Sequence, residues 1–102
     1  MDIQKATSAF AALAQETRLK VLRLLVKHGP GGAPAGALGE ALDIPHNTLS
    51  FHLAHLSRAE LVLSRRQGRS IIYSANFESI TALIRFLVED CCRVDFANIK
   101  ND

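Results

Sequence analysis

Two adjacent cysteines, Cys91 and Cys92, are the only ones in the 102 residues. Neighbours in sequence close no useful loop, which excludes the disulfide framework of a small secreted scaffold. No apolar run approaches the roughly 18 residues that span a bilayer. The opening Met1-Asp2-Ile3-Gln4-Lys5 lacks the basic-then-apolar order of a signal peptide. The expected location is therefore the cytoplasm, with no membrane partner. Internal repeats and low-complexity tracts are absent. So is the equipment of an enzyme: there is no carboxylate pair, nucleophile and base set or phosphate loop, and the cysteines lack the Cys-x-x-Cys spacing and βαβ setting of a thiol oxidoreductase. The expectation is a protein that is not an enzyme and requires no cofactor.

What is present is ordinary globular material. Hydrophobic residues make up 48% and charged residues 22%, which excludes a disordered chain and suits one domain over residues 1–102. The net charge is only +2, but its distribution is uneven. Between Pro45 and Ser74 stand Arg58, Arg65, Arg66 and Arg69 against Glu60 alone. A basic third in a nearly neutral chain is either a solvated face or the electrostatic outline of a phosphate-contacting surface.

Periodicity supplies the elements. Ile3, Ala6, Phe10 and Leu13 recur three or four apart, the buried face of a first helix. A second helix is expected from Gln15 to His28, with Leu19, Leu22, Leu25 and Val26 inward and Arg18, Lys20, Arg23 and Lys27 outward. Gly29-Pro30-Gly31-Gly32 stops it. Ala35, Leu38 and Leu42 mark a short third helix with Pro34 in its first turn. After the tight turn Asp43-Ile44-Pro45, Leu49, Leu53 and Leu56 form the stripe of a fourth helix that reaches about Ala59. Two short helices across so short a turn are a helix-turn-helix. Val62-Leu63-Ser64-Arg65-Arg66 and Ser70-Ile71-Ile72-Tyr73-Ser74 then flank Gln67-Gly68-Arg69 as a basic β-hairpin. A last helix from Phe77 to about Cys92 carries Ile80, Leu83, Ile84, Leu87, Val88 and Cys91 on one broad face. The fold class expected is mainly α with a β-hairpin wing, a winged helix-turn-helix with extra helices at both ends.

On the fourth helix, a rotation of 100° per residue from Leu49 places Asn47, Ser50, Phe51, Ala54 and Arg58 on the outer side. Asn pairs with adenine, Ser bonds base edges or phosphates, and Phe lies against a thymine methyl. Alternatively Phe51 packs into the domain or a dimer contact. His52 flanks the apolar stripe, where hydrogen bonding to a neighbouring helix is expected. His46, Thr48 and His55 join the candidate DNA contacts, as do Arg65, Arg66 and Arg69 around the hairpin tip. The bland alternative for those arginines is protection of an exposed sheet edge.

These segments together resemble the bacterial ArsR/SmtB-type winged-helix repressors. The resemblance rests on Leu13-Ala14-Gln15-Glu16-Thr17-Arg18-Leu19-Lys20-Val21-Leu22-Arg23-Leu24-Leu25, on Asn47-Thr48-Leu49-Ser50-Phe51-His52-Leu53 and on Gln67-Gly68-Arg69-Ser70-Ile71-Ile72-Tyr73. It implies a homodimer joined through the first and last helices, bound to an inverted-repeat operator in double-stranded DNA and released by an inducer. The last helix carries more apolar face than so small a core needs, which agrees with a two-fold partner.

The resemblance also implies several possible sensor sites. A cysteine motif in the third helix is missing, since that stretch reads Ala33-Pro34-Ala35-Gly36-Ala37-Leu38, and a histidine-containing site on the last helix is missing because no histidine follows Phe77. The pair Cys91-Cys92 resembles the vicinal cysteines of an arsenite-responsive subgroup, so arsenite, antimonite or methylarsenite is the implied inducer. Soft thiolates suit such thiophilic ions. That subgroup's third cysteine has no counterpart in the tail from Arg93 to Asp102. Redox or persulfide sensing by the same thiols, and simple burial of Cys91 as a small hydrophobe, stand as alternatives.

Overall fold

A computed structural model describes residues 1–89; the expected end of the last helix, with Cys91 and Cys92, lies outside them. Helix α1 spans Ile3–Leu13 and starts where the Asp2 side chain accepts the Lys5 amide at 2.8 Å. Its buried face is only partly the expected one, since Ala6 is buried and Leu13 half-buried against the core, but Ile3 and Phe10 are not. Ala6, Ala9 and Ala12 are buried, whereas Ile3 is 66% and Phe10 40% exposed. Alanines let the helix lie close upon α2 (Glu16–His28) and α4 (His46–Arg58), where larger side chains would hold it away. Gln15, expected inside α2, is instead its N-cap and accepts the Arg18 amide at 2.8 Å. Val21, Leu22 and Leu25 face the core, so Val21 replaces Leu19 in the expected stripe, and Leu19 and Val26 are exposed.

A two-residue strand, β1 (Ala33–Pro34), has no counterpart in the sequence pattern. Pro34 is extended, with φ −73° and ψ 155°, and precedes α3 (Ala35–Leu42) rather than lying in its first turn. Having no N–H to offer, proline is tolerated on a sheet edge. The strand pairs antiparallel with β3 (Ser70–Ala75), which also pairs with β2 (Val62–Gln67), giving the order β1-β3-β2. Gly32 makes the first pairing possible, because its φ is 71° and a Cβ there would run into the Tyr73 carbonyl oxygen.

Both helices of the helix-turn-helix end in the same way. After α3 the Ile44 amide reaches back to the Gly39 carbonyl at 2.9 Å, with Asp43 left-handed at φ 55°. After α4 the Leu61 amide reaches the Leu56 carbonyl at 3.0 Å, with Glu60 at φ 63°. These are Schellman-type stops, and they reverse the chain within a few residues. Leu38, Leu49, Leu53, Leu56 and Leu61 are fully buried and weld the helix pair to α1 and α2.

The last described helix, α5 (Phe77–Val88), is capped by Asn76 and buries only Leu83, leaving Phe77, Ile84 and Leu87 exposed. Among the described residues, five helices and a three-stranded antiparallel sheet with a hairpin wing make a winged helix-turn-helix. Among the described residues no helix is long and apolar enough to cross a membrane.

Candidate nucleic-acid interface

Helix α4 divides cleanly into two faces. Leu49, Leu53 and Leu56 point inward with His52, which is only 8% exposed. His46, Asn47, Thr48, Ser50, Phe51, Ala54 and Arg58 stand on the other side and are all exposed, while His55 is half-buried. Phe51 is 61% exposed, so it does not pack into the domain. Its contact is with the next residue, the two rings meeting edge to face with centroids 5.6 Å apart and planes at 70°. An apolar ring therefore stands on a polar face, between side chains that can bond base edges.

His52 meets a neighbouring helix, as expected, and its partner is Arg18. Arg18 Nη1 lies 3.4 Å from His52 Nδ1, while Arg18 Nε donates to the Ala12 carbonyl at 2.6 Å. By the sequence pattern Arg18 is one of the outward charges of α2; the structure half-buries it instead. No local signal marks this, because a long side chain can fold back along its helix to a partner far away in sequence. Burial, the Arg18 charge and then His55 hold the His52 imidazole below its ordinary pKa. Desolvation, Arg18 and Arg58 act likewise on His55. Both rings are thereby biased toward the neutral form.

The wing is the β2–β3 hairpin, in register from Val62 opposite Ala75 to Gln67 opposite Ser70. Gly68 occupies the first of two loop positions with φ 63°, while Arg69 does not have a positive φ, the pattern of a type II′ rather than a type I′ hairpin. Arg65, Arg66 and Arg69 are all exposed, but they are not equivalent. Arg65 Nη2 donates to the Gly31 carbonyl at 3.0 Å, which ties the wing to the loop after α2. Arg66 and Arg69 extend from the distal end of the hairpin. The expected contacts of α4 and the wing thus come from two consecutive elements, and together they form a polar, basic surface carrying one aromatic ring.

The candidate sensor residues Cys91 and Cys92 lie outside the described residues. Among the described residues no three His, Cys, Asp or Glu side chains converge as a metal site.

A family described as a helix-turn-helix domain matches residues 13–65, from the end of α1 into the wing. The transcriptional activator HlyU of Vibrio cholerae is 30% identical over 91 residues, covering 89% of this chain and 82% of its own. The transcriptional repressor SdpR of Bacillus subtilis is 33% identical over 84 residues, covering 78% and 90%. An ArsR-like transcriptional regulator from Rhodococcus superposes with a TM-score of 0.74 at 32% identity, over 82% of this chain and 76% of that one. The homodimeric winged helix-turn-helix DNA-binding domain Mb0332 of Mycobacterium bovis gives 0.70 at 26% identity, over 86% and 82%.

Proposed function

The chain belongs to the ArsR-type helix-turn-helix family of DNA-binding transcriptional regulators, and from that footing we propose that it is a homodimeric repressor whose operator complex is dissolved by a thiophilic inducer at Cys91 and Cys92. The observation that carries the DNA-reading part is the outer face of α4, where Phe51 is 61% exposed on the same side as Asn47 and Ser50, in a helix followed directly by an arginine-bearing wing. Asn47, Ser50 and Phe51 read base edges, with His46, Thr48, His55 and Arg58 beside them, and Arg66 and Arg69 follow the phosphate backbone.

Dimerisation through α1 and α5 is supported by the exposed Ile3, Phe10, Ile84 and Leu87, on two helices packed against each other, and by the homodimeric state of Mb0332. Two-fold symmetry sets the two reading helices on half-sites about 34–36 Å apart, or a multiple of that, in an inverted repeat.

The inducer reading rests on thiol chemistry. Two adjacent sulfurs can displace two hydroxides from arsenite, releasing two waters and leaving a dithiolate that keeps one hydroxide on arsenic; methylarsenite needs no third protein ligand. The test is fluorescence anisotropy of the DNA upstream of the protein's own gene, with arsenite, methylarsenite, antimonite or an oxidant added. Release by the trivalent ions in the wild type, and retention in a Cys91→Ser, Cys92→Ser double variant, is the expected result. A complex indifferent to all three overturns the inducer, and release by the oxidant alone assigns the cysteines to redox sensing.

A further inference from the structure

Three helices meet at Arg18. Its guanidinium donates through Nε to Ala12 O at 2.6 Å, a last-turn carbonyl of α1 with no helical amide to accept from. Through Nη1 it approaches Nδ1 of His52 on α4 at 3.4 Å. Arginine is a donor only, so Nδ1 is the acceptor and the ring proton sits on Nε2. The guanidinium fork is planar and rigid, and it therefore fixes the imidazole relative to the end of α1. His52 in turn carries the edge-to-face contact with Phe51, the exposed ring of the outer face. The backbone of Arg18 is itself held, its amide bonded to the Gln15 side chain at 2.8 Å.

The remaining inward contacts of α4 are aliphatic. Leu49, Leu53 and Leu56 exclude water, but dispersion contacts are non-directional and resist a small rotation of the helix weakly. The Arg18–His52 contact is the polar, directional constraint on the buried side of α4 among the hydrogen bonds of the described residues. Side-chain tips stand about 5–6 Å from a helix axis, so a rotation of about 10° displaces them by about 1 Å. That is enough to carry a hydrogen bond of about 2.9 Å out of range. Phosphate contacts from flexible arginines tolerate such a shift, whereas bidentate base contacts do not.

We propose that Arg18 is a positioning residue for DNA readout: by bridging His52 to the Ala12 carbonyl it sets the rotation of α4, and so governs sequence specificity rather than general affinity for DNA. This rests on the reading of α4 as the base-contacting helix.

The test uses the full chain, the tightest duplex selected from a random pool, and an unrelated duplex of equal length, all at one salt concentration. Arg18→Lys keeps the charge but cannot reach both partners, and His52→Leu removes the acceptor at similar volume. Each is expected to weaken the selected duplex about tenfold, the scale of one base contact, with less than about a twofold change for the unrelated duplex. The double variant is expected to lose no more than either single one. His52→Asn, whose Oδ1 replaces Nδ1 as acceptor, is expected to restore discrimination.

Equal losses on both duplexes, accompanied by a lower unfolding midpoint and no rescue by Asn, would show an ordinary structural role and overturn the proposal. Unchanged discrimination in Arg18→Lys and His52→Leu overturns it as well, and leaves α4 readout standing if Asn47→Ala and Phe51→Ala do lose the selected duplex. If those two variants lose nothing, the readout itself is wrong and the proposal falls with it.

Discussion

Asn76 and Glu60 join the end of the reading helix to the start of the last one. Asn76 Nδ2 donates to the Glu60 carbonyl at 2.9 Å, where Glu60 takes the left-handed turn that stops α4. The same side chain caps α5 by accepting the Ser79 amide at 3.2 Å, and the Asn76 amide donates to the Leu61 carbonyl at 2.9 Å. Asn76→Ala loses the cap and the tie together, and is expected to cost about 1–2 kcal/mol in urea unfolding. Asn76→Asp retains the capping acceptor and should lose less. Equal stability of all three proteins would show that this junction contributes nothing.

Gly32 and Gly36 should respond oppositely to alanine. At Gly32 the φ of 71° disfavours any side chain, and a Cβ would press on the Tyr73 carbonyl and come within 3.1 Å of Ile72 Cγ2. Gly32→Ala is expected to destabilise by more than about 2 kcal/mol and to detach β1. Gly36 lies in α3, and a methyl added there would find nothing within 4 Å, so Gly36→Ala should stabilise by about 0.5–1 kcal/mol. Thermal melts of the two variants decide the matter, and a Gly32→Ala protein as stable as the wild type would exclude the close approach.

The helix-turn-helix and the wing are legible in the sequence because both are written locally. Leu38 and Leu42, a three-residue turn, then Leu49, Leu53 and Leu56 need no distant information, and Gly68 between two β-prone runs announces a hairpin. What escapes is what depends on distant partners. Strand β1 exists only because Ala33 and Pro34 find Tyr73 and Ile72, far along the chain. In α1, periodicity favours the bulky Ile3 and Phe10, whereas close helix packing selects the alanines between them. Arg18 looks like any solvated charge until α4 brings His52 to it. Its place on the helix is plain in the sequence, its partner is not.

Acid should destabilise the fold through His52 and His55. Both imidazoles are held below their ordinary value of about 6.5 in the folded protein. Above that pH neither the folded nor the unfolded chain is protonated at these sites, and their contribution is constant. As the pH falls below about 6.5 the unfolded chain takes up protons that the folded one refuses, so stability drops until the folded pKa is passed. The urea midpoint is expected to fall between about pH 7.5 and about pH 5.5, and to fall less in His52→Asn. An equal fall in that variant would move the effect to other groups.

On DNA, the wing and α4 should separate by salt and by sequence. Removing Arg66 or Arg69 is expected to weaken selected and unrelated duplexes alike, and to reduce the log–log salt slope by about 0.9 for each phosphate no longer neutralised. Phe51→Ala should weaken the selected duplex by about 1 kcal/mol, leaving the slope unchanged. Arg65→Ala differs from its neighbours, since the bond to Gly31 disappears and the wing is loosened at its base. A slope that no arginine variant alters would take the wing off the backbone.

The exposed apolar residues of α1 and α5 bear on assembly. Phe10 is 40% and Leu87 58% exposed, so a glutamate at either position leaves the protomer's core untouched. In a two-fold interface each substitution appears twice, and it places charge against the apolar patch of both protomers. Phe10→Glu and Leu87→Glu are therefore expected to sediment as folded monomers with unchanged helical circular dichroism. Operator affinity should fall steeply, because two half-sites no longer act through one linked pair of reading helices. A dimer that persists with both charges in place would remove α1 and α5 from the interface, and would require the two reading helices to be spaced by some other contact.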